Sequence, residues 1–392
     1  MLLFRSACVA LFAMATAACV SASGEPAPIQ AAAAPARSCA PQAAPVPAGL
    51  SVEQMVGQLL VVGFQGQSTA SASAASVRKD IADGAVGGVL FLRHNIGSAA
   101  NVKALTASFA SASNPPPLLM IDQEGGLVSR LPAKIGFPST PSAEAVARDN
   151  SPEEARAIYD RMARSLKAWG FNVNLAPVAD VAVNPGNPVI AKAGRAYSSD
   201  PRTVAAYDRV FVTAHRAAGV APTLKHFPGH GSSAGDSHNG AVDITRTWSE
   251  TELIPYRELI DAGLVDIVMV GHLRLDRHNT GDTLPASISP DIVAGMLRSE
   301  LCFNGVVMTD DLIMRAIRNR MSATDAVIAA LKADNDLIVV SGDSSTGPDF
   351  PRTVAAAVAA EAAKDPAFRQ SIAASYGRVM ALKRRFAGGG RS

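Results

Sequence analysis

The chain has 392 residues, 48% of them hydrophobic and 18% charged, an ordinary globular balance with material for a large core. Its formal net charge is +2, with no basic run or basic–aromatic stripe, which argues against a nucleic-acid partner. Four cysteines without a CxxC pair argue against a thiolate zinc site.

At the front, Arg5 precedes an apolar stretch, residues 7–19, of signal-peptide length and too short to span a membrane. Residues 1–19 therefore read as an export signal, which predicts a periplasmic or cell-envelope location. Cys19 follows the small residues Ala17 and Ala18, as at a lipoprotein cleavage and acylation site, although Thr16 stands where that pattern usually has Leu. A lipid anchor at Cys19 is one expectation, and ordinary cleavage near Ala18 or Ala22 is the other. Residues 20–48 are mostly Ala, Pro and Ser, lack apolar periodicity and read as a disordered tether. An oxidising compartment permits Cys39 and Cys302 to pair without requiring it. Taken alone, Cys302 reads as a small buried hydrophobe.

Order is expected from Ser51, where Ser51 and Gln54 have capping-box spacing ahead of an apolar run. From there short apolar runs alternate with longer amphipathic segments. The runs are QLLVVGF (58–64), GGVLFL (87–92), PLLMID (117–122), FNVNLA (171–176), APTLKHF (221–227), VDIVMV (265–270), GVVMTD (305–310) and DLIVV (336–340). Each is nearly continuous in apolar residues, as a parallel strand buried on both faces should be. Helices are expected at 152–169, where Ala155, Ile158, Met162 and Leu166 keep helical spacing, and at 201–218, 249–262, 323–333 and 366–386. Eight strand-like runs with intervening helices predict an α/β fold, a single (β/α)8 TIM barrel spanning residues 49–388. A doubly wound open sheet is the runner-up, but no GxGxxG follows the first run.

Barrel enzymes place their chemistry at the C-terminal ends of the strands. A charged residue ending an apolar strand is costly unless it lines a cavity. Here Asp122 ends the third run, Lys225 and His226 the fifth and Asp310 the seventh, while His272 follows the sixth. In IDQEGGLVSRL (121–131) the paired glycines allow a sharp turn that brings Arg130 to face Asp122. In KHFPGHGSSAGDSH (225–238) Pro and Gly predict a long loop. There Asp236 and His238 lie two apart, so in extended chain the carboxylate can orient the imidazole. A histidine needs little tuning to act as acid and then base near neutrality. Asp310 is read as pointing into the mouth, Asp311 as capping the helix that follows. His230 reads as structural, and His94, His215 and His278, without a motif around them, as surface residues.

These segments together resemble family 3 glycoside hydrolases, in particular their bacterial β-N-acetylhexosaminidase branch. KHFPGHG followed by DSH is the most specific element, and NLAPVADV (174–181), GRAYSSD (194–200), VMVGH (268–272) and LPASIS (284–289) extend the likeness along the ordered chain. The resemblance implies a retaining hydrolase of terminal β-linked N-acetylglucosamine, with no cofactor or metal expected, and the two isolated tryptophans, Trp169 and Trp248, point to an exo-acting enzyme with a small pocket. It implies Asp310 as nucleophile, His238 as acid/base, Asp236 as its dyad partner, and Asp122, Arg130, Arg195, Lys225 and His226 as sugar-binding groups. Leu127, Ser232 and Tyr197 depart from the family pattern, where a second basic residue, Asp and Phe are common. Peptidoglycan fragments or chitooligosaccharides are the expected substrates, and the expected state is a monomer.

Three other readings compete. A zinc hydrolase using His226, His230, His238 and Asp236 would need a helix that Pro228 and Gly229 oppose. A non-catalytic sugar-binding lipoprotein would keep Asp122 and Arg130 without needing Asp310 and His238. A β-glucosidase or β-xylosidase differs by a modest change of pocket.

Overall fold

The eight apolar runs form eight strands: β1 (Leu60–Val62), β2 (Gly88–Phe91), β3 (Leu118–Ile121), β4 (Val173–Asn174), β5 (Ala221–Phe227), β6 (Ile267–Val270), β7 (Val306–Thr309) and β8 (Ile338–Val340). This computed structural model describes residues 39, 48–237, 239–277, 284–342, 347 and 349–386. The export signal, Cys19, nearly all of the tether, His238 and His278 lie outside the described residues. Hydrogen bonds run β7–β6–β5–β4–β3–β2–β1–β8, all parallel. An isolated parallel bridge from Met308 to Leu337 joins the two ends of that order. Each strand therefore neighbours its successor around a ring. A doubly wound sheet would reverse strand order at a switch point, so the fold is a (β/α)8 barrel.

The surrounding helices are α1 (Val52–Leu59), α2 (Ala72–Ala82), α3 (Ala99–Ala110), α4 (Pro152–Ala168), α5 (Pro201–Ala217), α6 (Ile254–Asp261), α7 (Asp291–Glu300, of π type), α8 (Ala323–Lys332), α9 (Phe350–Ala362) and α10 (Pro366–Phe386). Their starts follow from local chemistry. Ser51 accepts the Gln54 amide at 3.3 Å while Gln54 Oε1 accepts the Ser51 amide at 2.9 Å, so the capping box forms. Ser151 and Glu154 repeat it before α4, with Pro152 in its first turn. The helix expected over 249–262 begins instead as a 3-10 turn, Glu250–Leu253, before α6. Pro255 lacks the N–H that a continuous α-helix would need there.

Strand alternation sorts the core. Leu90, Leu118, Met120, Val173, Leu175, Ala221, Ile267, Met269, Val306, Met308 and Val339 share one buried cluster that fills the barrel. Their alternates face the helices: Val89, Phe91, Leu119 and Ile121 on one side, Leu224, Val268, Val270 and Val307 on the other. Extending the inward series by one step, Met120 leads to Asp122 and Met308 to Asp310. On β5 the inward parity of Ala221 leads to Lys225.

Two expectations are overturned. His215 is wholly buried, not at the surface; its Nδ1 lies 2.9 Å from the Phe211 carbonyl and its Nε2 3.0 Å from the Asn174 amide nitrogen. It shares a helical face with Val204, Phe211 and Val212, all buried, so the helix period carries it inward. Cys302 is only partly buried and forms a disulfide with Cys39. It occupies a turn between α7 and β7 with φ of 52°, where its sulfur meets that of Cys39. His94 is exposed as expected.

Candidate active site

The ends of seven strands, β2 to β8, meet two loops at the C-terminal mouth of the barrel. They enclose a cavity of about 250 Å3 lined by Asp122, Glu124, Arg130, Arg195, Lys225, His226, Asp310 and Asp311 over a floor of Leu90, Leu175, Met269 and Val339. The floor is the top layer of the inward-facing core, so the cavity is a polar cup on an apolar base. Every sugar-binding residue expected from the sequence lines it, as does Asp310.

The cations are placed by carboxylates. Lys225 Nζ donates to Asp122 Oδ1 at 2.8 Å and lies 2.7 Å from Glu124 Oε1. Arg195 grips Glu124 bidentately, Nε to Oε2 and Nη2 to Oε1, both at 2.8 Å. Arg130 Nη2 reaches Asp122 Oδ2 at 3.4 Å, which puts the pair face to face, and its Nε is buried without a hydrogen-bond partner. Burial raises carboxyl pKa values, but here it is outweighed. Lys225 and Arg130 hold Asp122, and Arg195 and Lys225 hold Glu124, below the usual carboxylate range. The same carboxylates, against burial, keep Lys225 protonated. The result is a preorganised array of charged groups with lone pairs and N–H donors left over.

Two neighbouring residues of β5, Lys225 and His226, both reach the cavity although strand alternation would turn one away. The β5–β6 register shifts between Leu224 and Phe227, an irregularity that re-aims side chains. Asp180 then fixes His226. Its Oδ2 lies 2.7 Å from His226 Nδ1, and its Oδ1 accepts the amides of His226 at 3.1 Å and His230 at 2.8 Å. The carboxylate contact at Nδ1 leaves His226 Nε2 towards the site, 3.4 Å from Arg195 Nη2.

Asp310 is partly exposed, and its Oδ1 accepts the Asp311 amide at 2.8 Å. Asp311 does not cap the following helix, as the sequence had suggested. Its Oδ1 accepts the amides of Ile313 at 3.3 Å and Ser341 at 3.0 Å, tying the end of β7 to the end of β8, and Met314 takes the N-cap of the short helix beyond. Burial pushes the Asp311 carboxyl up to about 6. His272 Nε2 donates to the Asp311 carbonyl at 2.8 Å, which leaves Nδ1 to pair with Ser287 Oγ at 2.7 Å. Because a carbonyl can only accept, this turn beside Asp310 fixes which ring nitrogen carries the proton.

Asp236, one half of the expected dyad, is not among the residues lining the cavity. Asp236 sits in the loop after β5, where its Oδ2 accepts from Asn239 Nδ2 at 3.1 Å, while His238 lies outside the described residues. The loop is held from within: His230, expected to be structural, is buried and bonds Ser233 at 2.7 Å and Ser237 at 3.2 Å. Burial lowers its pKa to about 4. Four residues of this architecture were not singled out beforehand: Glu124, Asp180, Glu252 and the bridging role of Asp311. Glu124 had a signal, since it stands two positions after Asp122 and shares its face. Asp180 lay within NLAPVADV, but its partners, the His226 ring and the amides of His226 and His230, are distant in sequence, and Glu252 had no signal because its partners are backbone amides. Of the departures, Leu127 is 70% exposed at the tip of a hairpin (Gln123–Gly125 with Val128–Ser129) beside the cavity. Tyr197 is buried and donates to Tyr159 at 2.8 Å. Among the described residues no cluster of three or more His, Cys, Asp or Glu could hold a metal ion, and no helix is long and apolar enough to cross a membrane.

Residues 51–382 match the family described as glycosyl hydrolase family 3 N terminal domain. The chain is 37% identical to beta-hexosaminidase LpqI of Mycobacterium tuberculosis over 313 residues, 77% of this chain and 76% of that one. It is 38% identical to a beta-hexosaminidase of Xylella fastidiosa over 269 residues, 66% of this chain and 77% of that one. Its structure superposes with a TM-score of 0.77 and 35% identity on a family 3 β-N-acetylglucosaminidase from Paenibacillus, covering 88% of this chain and 64% of that one. It superposes with a TM-score of 0.74 and 32% identity on a β-N-acetylhexosaminidase from Beutenbergia cavernae, covering 86% of this chain and 100% of that one. With a barrel, a polar cup at its mouth and these likenesses spanning most of its length, the chain belongs to glycosyl hydrolase family 3.

Proposed function

We propose that this protein is an exo-acting, retaining β-N-acetylhexosaminidase that removes terminal β-linked N-acetylglucosamine. The observation that carries the reading is Asp310 at the rim of a closed-bottomed cup the size of a single sugar, opposite five cationic and anionic groups suited to ring hydroxyls. In this reading Asp310 attacks the anomeric carbon to give a glycosyl-aspartate. His238, oriented by Asp236, protonates the departing oxygen and then deprotonates the water that releases the sugar. Asp122, with Lys225 and Arg130 neutralising it, accepts from hydroxyls. Arg130 and Arg195 donate N–H groups to the sugar and its acetamido oxygen, and His226, its Nδ1 against Asp180, presents Nε2 as an acceptor. Burial raises the Asp311 carboxyl to about 6, while Asp310, partly exposed beside it, is the carboxylate presented to the cavity as nucleophile. The substrates are N-acetylglucosamine-ended oligosaccharides such as peptidoglycan fragments or chitooligosaccharides, met in the cell envelope after export, with Cys19 as a lipid attachment point.

The test compares release of p-nitrophenol from the β-N-acetylglucosaminide and the β-glucoside by wild type and Asp310→Ala. Strong preference for the N-acetyl substrate with an inert variant is expected. Preference for the glucoside would transfer the reading to a β-glucosidase, and a fully active Asp310→Ala would remove Asp310 from the chemistry.

A further inference from the structure

The loop that leaves β5 rests on a carboxylate for which the proposed chemistry has no use. Glu252 stands in the 3-10 turn before α6, and its side chain is wholly buried. Its Oε2 accepts the Gly231 amide at 2.7 Å and its Oε1 the Ser232 amide at 3.3 Å. The glycines of PGHG follow from this contact. A Cβ on Gly229, whose φ is +124°, would stand 2.6 Å from Glu252 Cβ, and one on Gly231 would meet Glu252 Oε2 at 3.2 Å and collide with the Val181 carbonyl. The loop backbone is thus pressed onto the carboxylate with no room for side chains.

Among the described residues no Lys or Arg forms an ion pair with Glu252. The ionisable groups around it are Asp180 from the segment after β4, and Tyr256 of α6. Burial pushes its carboxyl up to about 7, against the pull of the two amides. A buried acid without a cation is an expensive way to fill space. Paired amide acceptance in a fixed direction is what a carboxylate offers and an apolar residue does not.

We propose that Glu252 is a positioning residue for the acid/base step, clamping the Gly231–Ser232 backbone so that the loop leading on to Asp236 and His238 leaves β5 in a fixed direction. The inference rests on the dyad reading above. Glu252 touches neither sugar nor reacting atoms, so its removal should disable proton transfer selectively and leave the Asp310 cup intact.

The experiment uses Glu252→Gln, near-isosteric and checked for cooperative unfolding, with His238→Ala as reference. Two N-acetylglucosaminides differ in leaving group. The 2,4-dinitrophenyl glycoside hardly needs protonation, whereas the 4-methoxyphenyl glycoside does. Glu252→Gln should lose ~10- to 100-fold in kcat/KM on the second and under ~3-fold on the first, part of the ~10²–10⁴-fold that acid/base catalysis supplies. Sodium azide should raise kcat on the dinitrophenyl substrate. Azide needs no general base: its nitrogen bonds to the anomeric carbon of the glycosyl-aspartate, the carbon–Oδ bond breaks, and Asp310 carboxylate and glycosyl azide leave. Glu252→Asp, which keeps the charge but not the reach, should show the same skew and serves if the Gln variant does not fold. Equal loss on both glycosides, no azide effect, or failure of both variants to fold would assign Glu252 to general packing and overturn the proposal. If His238→Ala shows skew and rescue while Glu252→Gln shows neither, only the positioning role fails. If His238→Ala shows neither, the dyad reading fails and takes this inference with it.

Discussion

The barrel mouth and the loop after β5 solve the same problem, holding polar groups in place, by different means. At the mouth, Asp122, Lys225 and Asp310 continue the inward series of strands β3, β5 and β7, so backbone registry positions them and facing charges only refine their aim. In the loop no ladder exists, and position comes from buried acceptors: Asp180 and Glu252 hold backbone amides, and His230 ties two serines. Asp122, Lys225 and Asp310 thus stand at the ends of rigid strands. Asp236 instead stands on a segment fixed by a handful of hydrogen bonds, a device suited to a part that must adjust.

The largest expected effect lies at the mouth. Asp310→Ala should lower kcat by ~10⁴-fold or more while the fold persists, measured as turnover beside thermal unfolding. A drop of less than ~10-fold would mean that strand registry alone does not identify the nucleophile.

Next comes Lys225→Met, which leaves Asp122 and Glu124 buried without their shared cation. Removing one partner of a buried pair costs about 3–5 kcal/mol, less whatever Arg130 and Arg195 retain. Urea unfolding should register a loss of several kcal/mol together with a raised KM. A variant as stable as wild type would show that the cup's charges are not held as a set.

Acid should act on the outer shell rather than the cup. Burial lowers the pKa of His215 from 6.5 to about 4, so the folded state resists a proton that the unfolded chain accepts. Its contribution is whole above about pH 6.5 and declines as pH falls towards 4, by up to about 3 kcal/mol. His215→Asn should flatten the fall in unfolding free energy between those pH values, and an unchanged slope would rule His215 out as its source. Glu252 works in the opposite sense. With its pKa raised from 4.5 to about 7, its contribution is whole below about pH 4.5 and declines as pH rises through 7.

The smallest effect on turnover belongs to Cys302→Ser. The disulfide to Cys39 closes over a separation of 263 residues, and its loss should cost about 2–4 kcal/mol of stability. Cys302 lies between α7 and β7, at the N-terminal ends of the strands and opposite the cup. Activity below the melting transition should therefore be unchanged; a shifted KM would reveal coupling across the barrel that neither region predicts.

Much of this was legible beforehand, for reasons that particular residues make clear. Eight apolar runs specify eight strands because a parallel strand covered on both faces must be apolar throughout. A charge that ends such a run, as Asp122, Lys225 and Asp310 do, has only the barrel mouth to occupy. Local caps were equally readable, since Ser51 and Gln54 need only each other. What the sequence could not show were contacts whose partners carry no side-chain signature. Glu252 serves backbone amides, Asp180 holds two more besides the His226 ring, Asp311 bridges two strand ends to Ser341 rather than capping its own helix, and His215 is carried inward by helix phase to meet Asn174. The pattern of apolar and charged residues determined the barrel and the cup, because burial and strand parity act on each residue separately. The tertiary structure alone decided how the loop after β5 is held and which cysteines pair, because those depend on groups that meet only after the ring has closed.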